Sequence, residues 1–202
     1  AGLVRMAVAA LKQRSGVLPA LEVLESGSST TAVQYHHSKL YCLQETGYPF
    51  ALNTRLENGY LILDGEGEWD NFNGKLDGPF TAHPKIDPVT GDWYTFSTQF
   101  SSGRLYHSVV RQGKLVQHSV IDQQKPALAF LHDYYLTEHY LVFPDLSLRF
   151  NPKDMFGPEK SPMVFDADYK MRWGVIKRDH QPGDPVRWFT TEQPGHLWHV
   201  VN

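Results

Sequence analysis

Residues 83–121 read HPKIDPVTGDWYTFSTQFSSGRLYHSVVRQGKLVQHSVI, and the fold class follows from this stretch. Pro and Gly at residues 87–91 separate two runs that are rich in β-branched and aromatic side chains. Residues 111–114, with Gly113, separate a second pair of such runs. Pro and Gly favour tight turns, while β-branched and aromatic residues favour strands. The stretch therefore predicts consecutive antiparallel strands joined by short turns.

The same pattern extends along the chain in both directions. A hairpin is predicted where residues 32–35 and 40–43 flank residues 37–39. Further strands are predicted at residues 140–143, 163–165, 173–176 and 187–190, with a longer loop at residues 152–162. Many short strands with frequent turns are typical of a sandwich, a barrel or a propeller, and no sequence repeat chooses among these three.

The single helical pattern lies at the start of the chain. Apolar residues at helical spacing predict a helical element over residues 1–16, in which Leu3, Ala7 and Leu11 share one face and Gly16 ends the helix. The sequence from residue 30 to residue 202 is predicted to be all-β.

Composition excludes several classes of protein. Nineteen Lys and Arg against 22 Asp and Glu give a formal charge of −3, which argues against nucleic-acid binding. A chain with 41% hydrophobic and 20% charged residues can bury a core and is not intrinsically disordered. The single cysteine, Cys42, excludes an internal disulfide framework. The sequence contains no run of eighteen apolar residues that would predict a transmembrane helix.

Ten histidines are many for a chain of this size, and three of them lie in apolar or aromatic sequence. These are His83, His132 and His199, which are separated by 49 and 67 residues. A buried imidazole needs a partner, and a hydrogen-bonded core histidine is the alternative for each one alone. Together they favour a metal site with one ligand from each successive four-stranded blade, because histidine is the commonest metal ligand.

The remaining seven histidines are predicted not to be ligands. His36 and His37 are expected to face water in a hairpin, and His107 and His118 to lie on an exposed strand face. The other three are His139, His180 and His196, of which His196 is nearest in sequence to a candidate ligand.

Five segments resemble motifs of the carotenoid cleavage oxygenases, and the similarity runs from about residue 30 to the end of the chain. The resemblance is closest to plant-type carotenoid and 9-cis-epoxycarotenoid dioxygenases. The segments are residues 40–50, 80–91, 131–146, 161–176 and 188–202.

This resemblance implies a fold and a metal site. The family has a seven-bladed β-propeller in which four histidines bind iron(II). His83, His132 and His199 match three of these ligands, and Glu45 matches a carboxylate that accepts the other ring N–H of a ligand. The fourth ligand and the other such carboxylates have no counterpart in residues 1–202. We therefore expect the chain to be an internal part of a longer propeller, inactive and prone to aggregate by itself.

The activity implied by the resemblance is oxidative cleavage. With iron(II) and O2, a carbon–carbon double bond of a carotenoid or apocarotenoid would be split into two carbonyl products. Two alternatives stay open: a propeller that binds a partner after losing its iron, and a stilbene-cleaving or retinoid-isomerase-like relative. We further expect peripheral membrane contact, because the substrate is insoluble in water, and a location in the plastid or the cytoplasm.

Overall fold

The computed structural model describes residues 24–25, 27–99, 102–123, 128–151, 154 and 161–201. The helix predicted over residues 1–16 and most of the loop at residues 152–162 lie outside these residues. The chain divides into two compact units, residues 1–82 and 83–202. The described residues form strands with almost no helix, so the all-β prediction is confirmed.

In the part of the chain that the structure describes, every strand pair is antiparallel. The strands are β1 (Ala32–His36), β2 (Lys39–Leu43), β3 (Phe50–Glu57), β4 (Tyr60–Leu63), β5 (Glu68–Trp69), β6 (Lys85–Ile86), β7 (Trp93–Gln99), β8 (Arg104–Arg111), β9 (Lys114–Gln123), β10 (Leu128–Ala129), β11 (Tyr135–Leu136), β12 (Tyr140–Asp145), β13 (Leu148–Phe150), β14 (Met163–Phe165), β15 (Arg172–Lys177) and β16 (Arg187–Thr190).

The first unit contains one sheet with the order β1-β2-β3-β4, in which β5 also pairs with β3. The β1–β2 hairpin turns at His37 and Ser38, whose φ angles are 45° and 68°. The β3–β4 hairpin turns at Asn58 and Gly59, with φ angles of 52° and 82°. Two-residue turns with positive φ match the twist of the flanking strands, and Asn-Gly is the strongest local signal for one. The first hairpin was predicted; the second was missed although its sequence carries that signal.

The second unit contains two four-stranded sheets and one three-stranded sheet. Their orders are β6-β7-β8-β9, β11-β12-β15-β16 and β10-β13-β14. The β8–β9 hairpin turns at Gln112 and Gly113, both with positive φ, as residues 111–114 predicted. Strand β8 is buried at all six positions between its two terminal arginines, so both of its faces are covered.

The core of the second unit joins the two four-stranded sheets through the segment that follows β10. Its buried members are Phe96, Leu105, Leu131, Tyr134, Leu141, Phe143 and Ile176. The Tyr134 ring stacks on Phe143 at 5.2 Å between centroids and meets Phe96 edge-on at 5.2 Å. Leu131 and Tyr134 thus anchor the backbone on both sides of His132 in a close-packed core.

A buried carboxylate, that of Asp145, is the centre of a charged cluster at the end of β12. Asp145 is 1% exposed. Its Oδ1 accepts a hydrogen bond from Arg149 Nη1 at 2.6 Å, and its Oδ2 accepts from Arg172 Nε at 2.9 Å and Tyr169 Oη at 2.7 Å. The guanidinium of Arg172 also lies 4.2 Å from the Trp188 ring centroid. Two cations and a hydroxyl therefore satisfy this one buried charge.

Candidate metal centre

The three histidines singled out from the sequence come together in the second unit. None of them lies in a strand: His83 precedes β6, His132 lies between β10 and β11, and His199 lies in the coil after β16. Their exposure differs, since His132 is buried, His83 is half-buried and His199 is exposed. The site is thus assembled from three coil segments at the edges of the sheets.

The ring nitrogens of the three histidines converge. His132 Nε2 lies 3.0 Å from His83 Nε2 and 3.1 Å from His199 Nε2. One ligand atom from each of the three residues lies within 4.8 Å of the others. No other group of three or more potential metal ligands is found among the described residues.

These distances suit a bound cation. A ring nitrogen carries either one proton or one lone pair, so His132 Nε2 cannot make full hydrogen bonds to both neighbours. A cation that takes the three lone pairs satisfies all three nitrogens at once. Nitrogen ligands at about 2.1 Å from a divalent ion and at right angles lie about 3.0 Å apart. Imidazole nitrogen is a suitable ligand for iron, copper, nickel and zinc.

Aromatic side chains form an apolar wall beside the cluster. The Phe130 ring is stacked parallel to His132 with centroids 6.4 Å apart, and Trp198 meets His132 edge-on at 5.2 Å. His196 packs edge-on against Trp198 at 4.9 Å. Burial lowers the pKa of His196 below its usual value, and the nearby His132 lowers it further. The lowered pKa favours the neutral form of the His196 imidazole.

Glu45 lies in the first unit, in the segment that follows β2. It is half-buried, and its Oε2 accepts a hydrogen bond from Thr31 Oγ1 at 3.4 Å. Its role as the hydrogen-bond partner of a ligating imidazole stays a prediction.

An ion pair between Lys85 and Asp133 lies next to the histidine cluster and was not predicted from the sequence. Lys85 lies in the segment of residues 80–91 and Asp133 in the segment of residues 131–146, and the sequence alone indicates no role for either. Lys85 Nζ lies 2.7 Å from Asp133 Oδ1, with the two side chains 13% and 3% exposed. The signal available in the sequence was their position, since each is within two residues of a candidate ligand.

Two of the other histidines are not placed as expected. His107 was predicted on an exposed face, but it is 0% exposed because β8 is covered on both sides. His36 was expected to meet water, but it is 7% exposed while His37 is exposed. The seven histidines predicted not to be ligands all lie outside the three-histidine cluster in the described residues.

The burial of His107 predicts a pH dependence of stability. Burial lowers the pKa of His107 well below 6.5, and the neighbouring His180 and His118 lower it further. The Tyr94 ring is stacked on it at 5.9 Å. The folded protein therefore binds fewer protons than the unfolded chain. Neutral His107 contributes its full share to the free energy of unfolding above about pH 6.5. As the pH falls from there towards the lowered pKa, the free energy of unfolding decreases by up to about 1.4 kcal/mol per pH unit.

Replacement of His107 with phenylalanine should make this dependence shallower. The measurement is the free energy of unfolding in urea between about pH 7.5 and about pH 5, a range that spans the ordinary pKa of histidine. His139→Phe, at an exposed histidine, is the matched control and should leave the slope unchanged. Equal slopes for wild type and His107→Phe would show the prediction to be wrong.

Comparison with known proteins identifies the family. The family profile described as "Retinal pigment epithelial membrane protein", RPE65, matches residues 5–202. The chain is 36% identical over 165 residues to carotenoid 9,10(9',10')-cleavage dioxygenase 1 of Arabidopsis thaliana, an alignment that covers 81% of the chain and 30% of the relative. It is 33% identical to the chloroplastic 9-cis-epoxycarotenoid dioxygenase NCED1 of Oryza sativa subsp. japonica, covering 100% of the chain and 31% of the relative.

Solved structures show the same relationship. Lignostilbene dioxygenase of Pseudomonas brassicacearum matches 83% of the chain and 34% of its own length with a TM-score of 0.67 and 31% identity. A variant of Synechocystis apocarotenoid oxygenase matches 86% of the chain and 36% of its own length with a TM-score of 0.64 and 26% identity. The chain spans about a third of the length of these relatives.

The antiparallel sheets, together with the likeness to these solved structures, define an all-β protein of the β-propeller class, and the histidine cluster is a candidate metal centre. The chain belongs to the RPE65/carotenoid cleavage oxygenase family, whose members here include carotenoid cleavage dioxygenases. This confirms both the family resemblance and the propeller fold expected from the sequence. In the described residues, no helix is long and apolar enough to cross a membrane.

Proposed function

We propose that the whole protein is an iron(II)-dependent dioxygenase that cleaves a carbon–carbon double bond of a carotenoid or apocarotenoid. The observation that carries the proposal is the convergence of His83, His132 and His199, with Nε2 atoms 3.0 and 3.1 Å apart. Relatives at 36% and 33% identity are named as dioxygenases of carotenoids and epoxycarotenoids. Glu45 is proposed as a carboxylate that orients one ligating ring.

The residues of the site suit this chemistry. Bound at the three nitrogens, iron(II) would supply activation of dioxygen, so that O2 and one carbon–carbon double bond give two carbonyl products. The neutral imidazoles hold the ion without cancelling its charge. Phe130 and Trp198 pack against His132 and offer aromatic surface to an apolar polyene.

The proposed location is the plastid, because the rice relative is named as chloroplastic. Peripheral contact with a membrane is part of the proposal, since a carotenoid is dissolved in membranes and not in water.

A second candidate is cleavage of a stilbene. It is favoured by the likeness to the lignostilbene dioxygenase of Pseudomonas brassicacearum. A stilbene double bond is flanked by two aromatic rings, so the same aromatic wall would suit it.

The test is product analysis with the whole protein, prepared free of metal and then supplied with iron(II). A carotenoid, an apocarotenoid and a stilbene are each incubated under isotopically labelled dioxygen. We expect two carbonyl products from the carotenoid or apocarotenoid, labelled from O2, and none without iron.

Each other outcome contradicts the proposal in a distinct way. Cleavage of the stilbene alone supports the second candidate. A geometric isomer without carbonyl products indicates an isomerase. Binding of a polyene with iron present but without any turnover indicates a binding module.

A further inference from the structure

None of the three histidines is in a strand, so strand pairing does not fix their positions relative to one another. Other contacts must hold the three segments together. His83 is two residues from β6, which pairs with β7 through Lys85 and Tyr94. His132 is held by its core neighbours Leu131 and Tyr134. His199 is exposed and lies in a coil, so its position depends most on contacts made by the adjacent backbone.

One carboxylate contacts all three segments. Asp133, next to His132, accepts a hydrogen bond at Oδ1 from its neighbour Tyr134 N at 2.8 Å. The same oxygen pairs with Lys85 Nζ at 2.7 Å, in the segment that begins with His83. Its Oδ2 accepts the Val200 N–H at 3.0 Å, directly after His199.

The surroundings make these contacts strong. Asp133 is 3% exposed, so its charge is shielded from water and depends on its partners. Hydrogen bonds to an ionised carboxylate are stronger than neutral ones, and both oxygens are used here. Further along the same coil, Gly195 N donates to Ser147 Oγ at 2.8 Å and Ser147 N to Gly195 O at 2.9 Å. The coil that carries His199 is therefore fixed at Gly195 and at Val200.

We propose that Asp133 is a positioning residue that ties the segments of His83, His132 and His199 together and so sets the arrangement of the metal-binding nitrogens. It acts through the histidines and does not bind the metal itself. This inference rests on the metal centre proposed above. It assigns to Asp133, a residue outside the ligand set, the task of holding the exposed His199 within reach of the other two, while Lys85 links Asp133 to the segment of His83.

The first measurement needs no metal. Amide hydrogen exchange is followed in peptides that cover residues 196–201 of the whole protein. In Asp133→Asn an amide nitrogen replaces one carboxylate oxygen. We expect amide exchange at residues 196–201 to become about tenfold faster or more. Lys85→Met keeps the Val200 hydrogen bond and should leave this stretch close to wild type.

The matched control is Asp145→Asn. Asp145 is as buried as Asp133 and also binds cations, but its bonds go to Arg149, Arg172 and Tyr169 and not to a histidine segment. This variant should lose stability without a selective effect on exchange at residues 196–201.

The second measurement is binding of cobalt(II), followed by its visible absorption. We expect Asp133→Asn to bind about 10- to 100-fold more weakly than wild type. Its spectrum should move towards that of His199→Ala, which lacks the third ligand. Asp145→Asn should bind cobalt(II) with an affinity within about threefold of wild type at a temperature where it is folded.

The two measurements separate the failure of this inference from the failure of the proposed function. Unchanged exchange at residues 196–201 in Asp133→Asn overturns the positioning role, whether or not cobalt(II) binds. Faster exchange in a protein whose wild type binds no cobalt(II) supports the tether and overturns the metal centre. If Asp133→Asn and Asp145→Asn are equally stable and lose cobalt(II) affinity equally, Asp133 has only a structural role and the proposal is overturned.

Discussion

Replacement of His132 with alanine is expected to remove bound iron and abolish double-bond cleavage by the whole protein. His132 Nε2 is the atom that lies within 3.1 Å of both other histidines, so its loss leaves two nitrogens that no longer form a three-sided site. The loss in metal affinity should exceed the about 10- to 100-fold that removal of a partner beside a ligand costs. The measurements are iron content after reconstitution and the rate of carbonyl product formation.

Two further variants keep this experiment interpretable. His199→Ala alters an exposed side chain, so metal should be lost while the protein stays folded. His139→Ala, at an exposed histidine outside the cluster, should retain iron and activity. Iron content and activity at the wild-type level in His132→Ala would falsify the ligand assignment.

Replacement of Asp145 with alanine should lower the free energy of unfolding by about 3–5 kcal/mol. The change leaves Arg149 and Arg172, which now bind the buried carboxylate at 2.6 and 2.9 Å, without their counter-charge. It also removes the acceptor of the Tyr169 hydroxyl. Urea unfolding followed by tryptophan fluorescence reports this directly, because Arg172 packs on Trp188.

An exposed ion pair serves as the control for Asp145. Arg55 and Glu57 are joined on β3 with side chains 53% and 48% exposed, where water screens the charges. Glu57→Ala should therefore change stability by less than about 1 kcal/mol. A similarly small change in Asp145→Ala would contradict the view that burial makes its ion pairs indispensable.

The strand pattern could be predicted because it is a local property. Gln112-Gly113 and His37-Ser38 form turns through their own φ angles, and the residues that flank them favour strands by themselves. The hairpin around Asn58-Gly59 carried the same kind of local information and could have been predicted from it. The helix expected at residues 1–16 lies outside the described residues.

Burial could not be predicted in the same way, because it depends on what packs against a strand. His107 looks like a polar residue of a half-exposed strand in the sequence, yet β8 is covered on both faces and the imidazole is fully buried. The covering side chains come from other strands and from the segment near His180, 73 residues further along the chain.

The candidate metal site also has a part that the sequence predicts and a part that only folding determines. Motifs around His83, His132 and His199 identify the residues, because each motif is a short run of sequence that resembles the family by itself. His83 and His132 are 49 positions apart in the sequence, and His132 and His199 are 67 positions apart. Only the tertiary structure brings the Nε2 atoms of His83 and His199 to within 3.1 Å of His132 Nε2. The same holds for the carboxylate of Asp133, whose contacts with Lys85 and Val200 exist only after folding. Turn chemistry and motif identity are encoded in neighbouring residues, whereas burial and convergence require distant segments to pack, and no local pattern of side chains records which segments will meet.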